Sequence, residues 1–252
     1  MSTDRPGPRA QARAQTIAEI KRIGREHLAS QGAAALSLRA VARDLGMVSS
    51  AVYRYVRSRD ELLTLLVVDG YNALGDAVDA ALAQAPADPA TRFRLAAHAV
   101  RRWALAEPAW YGLLYGSPVP GYAAPSADTV APGIRVIGVL LRIIDDAHRA
   151  GMLTVPTSTP AISARTAADF ANIREQFALA VPDGLMVSVL TVWTTLFGAV
   201  NFDVFDMYGA DTFADRTEVF DLQLDQLCHL LGFPSDGRSG EVIPDTADRS
   251  VR

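Results

Sequence analysis

A segment near the N-terminus combines polar, basic and aromatic side chains at spacings that suit contact with DNA. Residues 37–61 read SLRAVARDLGMVSSAVYRYVRSRDE, and Gly46 divides them, because glycine tolerates the left-handed backbone conformation that ends a helix. A short helix, a turn containing glycine and a second short helix set the second helix at the steep angle that lets it enter a DNA groove. The segment therefore predicts a helix-turn-helix.

Ten residues of this segment are its candidate DNA contacts. Hydroxyl and guanidinium groups bind phosphate oxygens, and side chains at the start of the second helix reach base edges. We expect Tyr53 and Arg59 to bind phosphates, and Arg54 to approach base edges together with the small residues 49–51. The full set is Ser37, Arg39, Met47, Ser49, Ser50, Ala51, Tyr53, Arg54, Tyr55 and Arg59.

Hydroxyl side chains predict where the helices begin. Ser49 or Ser50 is expected to cap the second helix, because serine at this position accepts a hydrogen bond from the helix backbone. Ser58 and Glu61 are spaced as a capping box, in which each side chain bonds the backbone of the other residue, so a third helix begins there. This helix continues to about Ala83 and is long enough to join the DNA-binding segment rigidly to the remaining chain.

Apolar residues predict which faces of these helices are buried. Val52 and either Tyr55 or Val56 return to the core, and Ala51, Tyr53 and Arg54 are left facing outward. An earlier helix is predicted over residues 11–31, and His27 lies on its inward face. We interpret His27 as a hydrogen-bonded core residue rather than a ligand.

The charge distribution favours DNA binding over a merely structural helix pair, which is also common in all-helical proteins. Residues 1–60 contain eleven arginines or lysines and five acids, a net charge of +6. The whole chain has a formal net charge of −4, so the remainder carries −10. A cationic segment joined to an acidic body is the pattern expected of a DNA-facing module.

These residues together resemble the N-terminal DNA-binding domain of the TetR family of transcriptional regulators. The most specific part of the resemblance is Tyr-Arg-Tyr at 53–55, followed by Arg-Asp-Glu-Leu at 59–62. Val48 and Ser49 stand where the family commonly has Ser and Lys, and Arg59 stands where it has Lys. The matching residues are Gly32, Leu36, Leu38, Val41, Ala42, Gly46, residues 52–55 and residues 59–62.

The resemblance and the helical pattern together predict the fold class. We expect an all-α protein with an N-terminal three-helix helix-turn-helix domain and a larger C-terminal helical domain for ligand binding and dimerisation. The predicted divisions are a flexible basic arm over 1–10, the DNA-binding domain over 11–60, the helical domain over 61–233 and a disordered tail over 234–252. The arm either touches DNA or is only a disordered tail.

Apolar periodicity predicts six further helices in the larger domain, and a Pro- and Gly-rich loop separates two of them. Residues 92–208 also resemble, more weakly, the C-terminal domain of some TetR-type regulators. In that resemblance Phe197 replaces a usual histidine. The predicted helices are 91–106, 109–116, 134–150, 163–181, 182–208 and 211–231, the loop is 117–133, and a second break is 155–160.

Aromatic residues of the larger domain have two interpretations. They line an apolar pocket that holds a small hydrophobic effector, or they are simply core, because a core helix shows the same spacing. The resemblance favours the pocket. The candidate ligand-binding residues are His98, Trp103, Trp110, Tyr111, Tyr115, His148, Trp193, Phe197 and Asn201.

Motifs of other protein classes are missing from the sequence. No hydrolase, nucleotide-binding or zinc-protease motif occurs, and the four histidines are scattered, so we predict neither an enzyme nor a metal site nor a cofactor. The single cysteine, Cys228, excludes an intrachain disulfide framework. No secretion signal or uninterrupted membrane-length apolar run is found, so we expect a soluble cytoplasmic protein with no membrane partner.

The last two helices are the expected homodimer interface. Residues 185–200 are apolar nearly all round, and the final helix has more apolar residues than one core-facing stripe needs, so we expect Leu224 and Leu227 at the interface. A twofold interface would present two DNA-reading helices to a palindromic operator. We therefore predict a ligand-responsive homodimeric regulator, a repressor released by its effector. The alternatives are an all-α enzyme or carrier with a structural helix-turn-helix, and a recombinase, whose nucleophile and arginine cluster we do not find.

Overall fold

The computed structural model describes residues 7–154 and 161–234, and this part of the chain is helical without strands. The predicted all-α fold class is confirmed. Residues 1–6 of the predicted arm, the predicted break 155–160 and residues 235–252 of the predicted tail lie outside the described residues. The described helices are α1 Pro8–Gln31, α2 Leu38–Asp44, α3 Ser49–Val52, α4 Arg59–Leu82, α5 Pro89–Ala106, α6 Pro108–Tyr115, α7 Ser126–Gly133, α8 Arg135–Arg149, α9 Ala164–Phe177, α10 Asp183–Val204 and α11 Arg216–Leu231.

The first three helices and the start of α4 enclose one small apolar core. Ile20 of α1, Val41 of α2, Val52 of α3 and Leu62 of α4 are all fully buried in it. Gly46 takes a positive φ of 67° after α2. The amide of Gly46 bonds the carbonyl of Arg43 and the next amide bonds that of Ala42, an arrangement that closes the helix. The predicted helix-turn-helix is therefore present.

The long helix α4 begins as predicted at Ser58, whose hydroxyl accepts a hydrogen bond from the amide of Glu61 at 3.0 Å. The return half of the capping box differs from the prediction. The Glu61 carboxylate bonds the amide of Arg57 at 2.6 Å, one residue earlier than the box requires, and it also pairs with the guanidinium of Arg57. These bonds lower the pKa of Glu61 against the opposing effect of burial.

A second and larger core is formed by the far half of α4 and the helices that follow. Leu74 and Val78 of α4, Phe93 of α5, Leu196 of α10 and Leu224 of α11 are fully buried in this core. Helix α4 therefore contributes residues to both cores. The buried ion pair between Arg101 of α5 and Asp203 of α10, at 2.6 Å, further fixes the helices of the body.

Several predicted boundaries differ from the observed ones. Helix α1 begins at Pro8, inside the predicted arm, because proline is favoured in the first turn of a helix. Helix α7 occupies the second half of the predicted loop 117–133, and Pro132 lies inside it, where the ring removes one backbone hydrogen bond. The prediction of a loop was wrong there, because packing of α7 against α4 outweighs the unfavourable helix propensity of proline.

The last three helices are shorter than predicted. Helix α9 ends at Phe177, because Ala178 adopts a left-handed conformation. Helix α10 ends at Val204 rather than at residue 208. Helix α11 begins at Arg216 rather than at residue 211, because the Asp215 carboxylate caps it by accepting hydrogen bonds from two amides at 2.8 and 3.1 Å.

The two cores meet where α6 packs against the middle of α4. The indole nitrogen of Trp110 donates a hydrogen bond to the carbonyl of Leu66 at 2.8 Å. Close approach is possible because residue 70 is glycine: a Cβ atom there would lie 2.6 Å from the indole nitrogen. Leu66 belongs to the first core, and Trp110 begins the aromatic part of the body.

Gly70→Ala is expected to destabilise the protein by about 1–3 kcal/mol, because overpacking at the indole outweighs the gain in helix propensity. Gly112→Ala on α6 is the matched control, since its Cβ would meet Phe205 at an ordinary 3.7 Å. Denaturant unfolding of both variants measures the difference. Equal stability of the two would contradict this packing of Trp110.

Candidate nucleic-acid interface

The second helix of the helix-turn-helix is short and begins differently from the prediction. Helix α3 spans Ser49–Val52, and the residue at its cap position is Val48. Ser49 is thus the first helical residue, and no side chain caps this helix. The expectation that Ser49 or Ser50 provides the cap was wrong, because the turn after Gly46 is one residue shorter than that expectation needs.

The side chains of this helix divide into a buried and an exposed face. Val52 and Val56 are completely buried, so Val56 rather than Tyr55 is the second core residue. Tyr53 is 44% exposed, and Arg54 is exposed, as predicted. Tyr55 is half-buried, and the guanidinium of Arg13 lies 5.3 Å from its ring centre. The outward face therefore presents a phenol and an arginine to solvent.

Several arginines around this face have no carboxylate partner within the described residues. Arg54 and Arg39 are exposed and form no ion pair there. Arg13 reaches across from α1 and donates a hydrogen bond to the carbonyl of Arg54 at 3.0 Å. Unpaired, solvated guanidinium groups can bind phosphate oxygens without first breaking a salt bridge.

Arg59 has a different environment from the one predicted. Its guanidinium donates hydrogen bonds to the carbonyls of Ala33 and Ala34 at 3.0 and 3.3 Å, and the side chain is 29% exposed. Arg59 thus joins the start of α4 to the turn that follows α1. Only part of its surface can reach a phosphate, and the side chain also has a structural role.

The remaining predicted contacts lie at the edges of the face. Ser37 occupies the cap position of α2 without a capping bond, so its hydroxyl is available. Met47 is half-buried and packs against the first core. Ala51 is half-buried, whereas Ser49 and Ser50 are exposed. Val48 was absent from the predicted set, although its side chain is 70% exposed.

His27 is a hydrogen-bonded core residue, as predicted. Its Nε2 atom lies 2.6 Å from a carboxylate oxygen of Asp44, the last residue of α2. The contact fastens α2 to α1, and the hydrogen bond to His27 lowers the pKa of Asp44. It therefore helps to fix the orientation of the helix-turn-helix.

The predicted ligand residues form two groups of aromatic contacts, and two histidines lie outside both. The ring centres of Trp103 and Trp110 lie 6.0 Å apart, and separately Tyr111 lies 5.1 Å from Tyr115, Tyr115 lies 4.7 Å from Phe197, and Phe197 lies 4.2 Å from Trp193. Asn201 follows Phe197 by one turn of α10. We refer to these seven residues as the aromatic cluster. His148 lies on α8, apart from these ring contacts.

His98 also lies outside the aromatic cluster. Its Nε2 atom is 2.7 Å from the carboxylate of Asp221, and its ring packs against Phe220, so it joins α5 to α11. Burial lowers the pKa of His98 in spite of the neighbouring carboxylate. The position indicates a structural contact between helices, and the structure does not bring His98 together with the other ligand candidates.

Comparison with known proteins gives matches over both parts of the chain. The family described as bacterial regulatory proteins, tetR family, matches residues 23–66, and the tetracyclin repressor-like C-terminal domain matches residues 93–227. The chain belongs to the TetR family. The predicted family is confirmed, and the N-terminal match covers the helix-turn-helix described above.

Similar proteins extend over most of this TetR-family chain. The HTH-type transcriptional regulator Rv1816 of Mycobacterium tuberculosis is 46% identical over 224 residues, which are 88% of this chain and 94% of the relative. The solved regulatory protein SCO4313 is 34% identical with a TM-score of 0.70, and the match covers 88% of this chain and all of that chain. A tetR-family regulatory protein from Rhodococcus RHA1 shares the fold at 17% identity, with a TM-score of 0.57 over 86% of this chain and 97% of that chain.

The helix-turn-helix of this TetR-family protein is fastened to its body by a contact that the sequence did not reveal. The guanidinium of Arg25 on α1 lies 4.5 Å from the ring centre of Trp110 and pairs with the carboxylate of Glu107, which precedes α6. Lys21 pairs with Asp69 of α4 at 2.7 Å. Helix α6 therefore contacts α1 and α4 at once.

Two further observations concern metal binding and membrane insertion. Within the described residues no group of three or more His, Cys, Asp or Glu side chains could hold a metal ion. Helix α10 is long and apolar enough to cross a bilayer by length and composition. Its packing against α5 and α11 and the Arg101–Asp203 pair give this composition an explanation within the helical body.

Arg54→Ala and Arg59→Ala are expected to weaken DNA binding in different ways. Arg54→Ala should relax base preference at one position by about 1–3 kcal/mol. Arg59→Ala should weaken binding to all sequences, reduce the salt slope by about 1, and lower stability by about 1 kcal/mol through the lost carbonyl bonds.

Fluorescence anisotropy on a panel of duplexes at several salt concentrations measures both effects. Arg165→Ala, an exposed arginine of α9, is the control that should bind DNA like the wild type. If Arg54→Ala kept the affinity and base preference of the wild type, Arg54 would not read bases.

Proposed function

We propose that this TetR-family, DNA-binding transcriptional regulator is a homodimeric repressor that binds a palindromic operator and leaves it when a small hydrophobic effector binds the body. The exposed face of α3 carries the proposal of DNA binding. Tyr53 and Arg54 face solvent there, while Val52 and Val56 anchor the helix in the core. The function needs binding alone, and no catalytic step is proposed.

The effector site is proposed at the aromatic cluster. Two buried polar atoms in this region, Tyr111 Oη and Asn201 Oδ1, have no hydrogen-bond partner within the described residues. Leaving a buried polar atom without a partner costs about 1–3 kcal/mol. Tyr111 is completely buried, and burial raises the pKa of its phenol. A neutral phenol that lacks a partner is a donor available to a ligand.

The chemistry of these two atoms defines the effector that fits. Most of the surrounding surface is aromatic, which favours an apolar ligand body. The Tyr111 hydroxyl can donate a hydrogen bond, and the Asn201 carbonyl oxygen can only accept one. An apolar molecule with one hydroxyl group or similar polar group would satisfy both atoms. This matches the small hydrophobic effector predicted from the sequence.

The path from this site to DNA runs through α6. Trp110 and Tyr111 are adjacent on this helix, and Trp110 bonds the carbonyl of Leu66 on α4 and packs against Arg25 of α1. A ligand that displaces Tyr111 must therefore also move Trp110 or strain α6. We propose that this displacement changes the position of the helix-turn-helix relative to the body. Trp110 thus lies close to the DNA-binding part.

The homodimer is proposed through the outward faces of α10 and α11. Leu190 of α10 is 55% exposed and Leu222 of α11 is 58% exposed, with Phe202 and Leu230 on the same two helices also exposed. Such apolar surface on neighbouring helices is typical of an interface. Leu224 and Leu227, which were expected at the interface, are buried in the core of one subunit, because they lie on the opposite face of α11.

Binding of the purified protein to the DNA that flanks its own gene tests this function. Anisotropy titrations with and without lipophilic compounds bearing one hydroxyl group should show sequence-selective binding that at least one compound weakens. Binding of equal affinity to unrelated duplexes would contradict the regulator function. Selective binding that no compound of this class affects would contradict the effector proposal alone.

Tyr111→Phe is expected to raise the stability of the ligand-free protein by up to about 1–3 kcal/mol, because it removes a buried hydroxyl that no described residue bonds. The same variant should lose affinity for the effector while it binds operator DNA like the wild type. Tyr122→Phe is the matched control, since its hydroxyl lies 3.0 Å from that of Thr64. The control should lose about 0.5–1.5 kcal/mol of stability. Equal stability changes in the two variants would show that Tyr111 has a partner.

Leu222→Asp is expected to produce monomers. An unpaired charge in an apolar interface costs several kcal/mol, so the dissociation constant of the dimer should rise at least about a hundredfold. Val130→Asp on α7 is the control, because Val130 is 49% exposed and its helix packs against α4 and α8. Sedimentation velocity measures the effect, and a dimeric Leu222→Asp protein would exclude this interface.

A further inference from the structure

Val48 is the most exposed large apolar side chain of the described residues. It lies at the cap position of α3 with 70% of its surface exposed. The residues on either side behave differently: Met47 packs against the first core, and Ser49 begins the helix. The backbone of Val48 is extended, with φ −67° and ψ 140°, as is usual for the residue that precedes a helix.

Folding does not explain a valine at this position. Cap residues are preferably Ser, Thr, Asp or Asn, whose side chains bond the first amides of the helix, and valine is among the poorest choices. No side chain replaces that bond in α3. Met47 and Val52, rather than Val48, supply the apolar contacts that hold the start of this helix against the first core. The chain thus gives up stability to place an isopropyl group in solvent, a pattern typical of functional positions.

The residues around Val48 indicate which kind of partner binds over its side chain. Ser49 and Ser50 are exposed beside it, and Arg54 lies one turn further along the same short segment without a carboxylate partner in the described part of the chain. This cationic and hydroxyl-rich rim suits the phosphate walls of a DNA groove rather than an apolar protein surface. An apolar side chain at the start of a recognition helix faces the base edges.

The major groove offers such a side chain one specific apolar partner. Among the four bases, only thymine presents a methyl group there, at C5, and apolar side chains recognise it by contact. We propose that Val48 determines sequence specificity by contacting the C5-methyl group of one thymine in each operator half-site. The inference rests on the DNA-binding function and adds a residue outside the predicted contact set.

Replacement of thymine by deoxyuridine tests this contact, because it removes only the methyl group. The operator is first selected from random duplexes with the full-length wild-type protein, and each thymine of a half-site is then replaced in turn. At one position the wild type should lose about fourfold in affinity per half-site, the value expected for one buried methyl-sized group. Val48→Ser should bind the thymine and deoxyuridine duplexes equally at that position.

Two controls separate this contact from an effect on folding. Val48→Ser supplies a capping hydroxyl, so its melting temperature should rise by about 2–4 °C while the thymine preference is lost. Val48→Ala removes the apolar surface without adding a cap and should lose most of the same preference. Val130→Ser, an exposed valine of α7, should keep the full loss on deoxyuridine replacement.

The inference is overturned if every deoxyuridine replacement affects wild type and Val48→Ser equally, or if the selected half-site contains no thymine. Failure of the DNA-binding function itself would give a different result in the selection experiment. In that case neither the wild type nor the Val48 variants would select any sequence from the random duplexes.

Discussion

One helix takes part in both cores, and the other elements are arranged around it. The first turns of α4 bury Leu62 and Leu66 among the DNA-binding helices, and its later turns bury Leu74 and Val78 in the body. The backbone of this helix is unbroken over its 24 residues, so it links the two cores directly. Under the proposed function, a displacement of the body that moves α4 therefore also moves the first core.

Helix α6 contacts α4 through Trp110. Gly70 allows the indole of Trp110 to approach the helix closely, and the hydrogen bond to the Leu66 carbonyl fixes its orientation. Arg25 covers the other side of the ring and pairs with Glu107. One residue further along α6, the phenol of Tyr111 is buried and has no hydrogen-bond partner among the residues that the structure describes. Helix α6 thus has a side chain whose polar group is hydrogen-bonded, Trp110, next to Tyr111. Under the proposed function, an effector that bonds Tyr111 would act on α4 through Trp110.

Local chemistry made much of the fold predictable. The cap at Ser58, the helix end at Gly46 and the buried position of Val52 depend on a few neighbouring residues, and the sequence predicts them correctly. The family resemblance added the expected two-part organisation. Helix α7 was missed because its proline indicates a loop, whereas the packing of this helix against α4 cannot be read from neighbouring residues.

The predictions that failed concern residues whose surroundings are set by contacts between distant parts of the chain. Both Leu222 and Leu224 fit an apolar helix, and only the direction in which α11 packs decides that the second is core. Arg59 was expected to be free for phosphate, but the turn after α1 supplies two carbonyls to it. Val48 was noted only as a departure from the family pattern and was left out of the predicted contacts. Its significance appears only when its exposure and the missing cap are seen together.

The central claim is that two copies of the α3 face read one DNA site from a single dimer. Hydroxyl-radical footprinting of the wild-type protein on a selected duplex tests it most directly. The account predicts two protected patches on the same side of the duplex, one helical turn or about 34–36 Å apart, or a multiple of it. A single protected patch, or uniform protection without sequence preference, would contradict it.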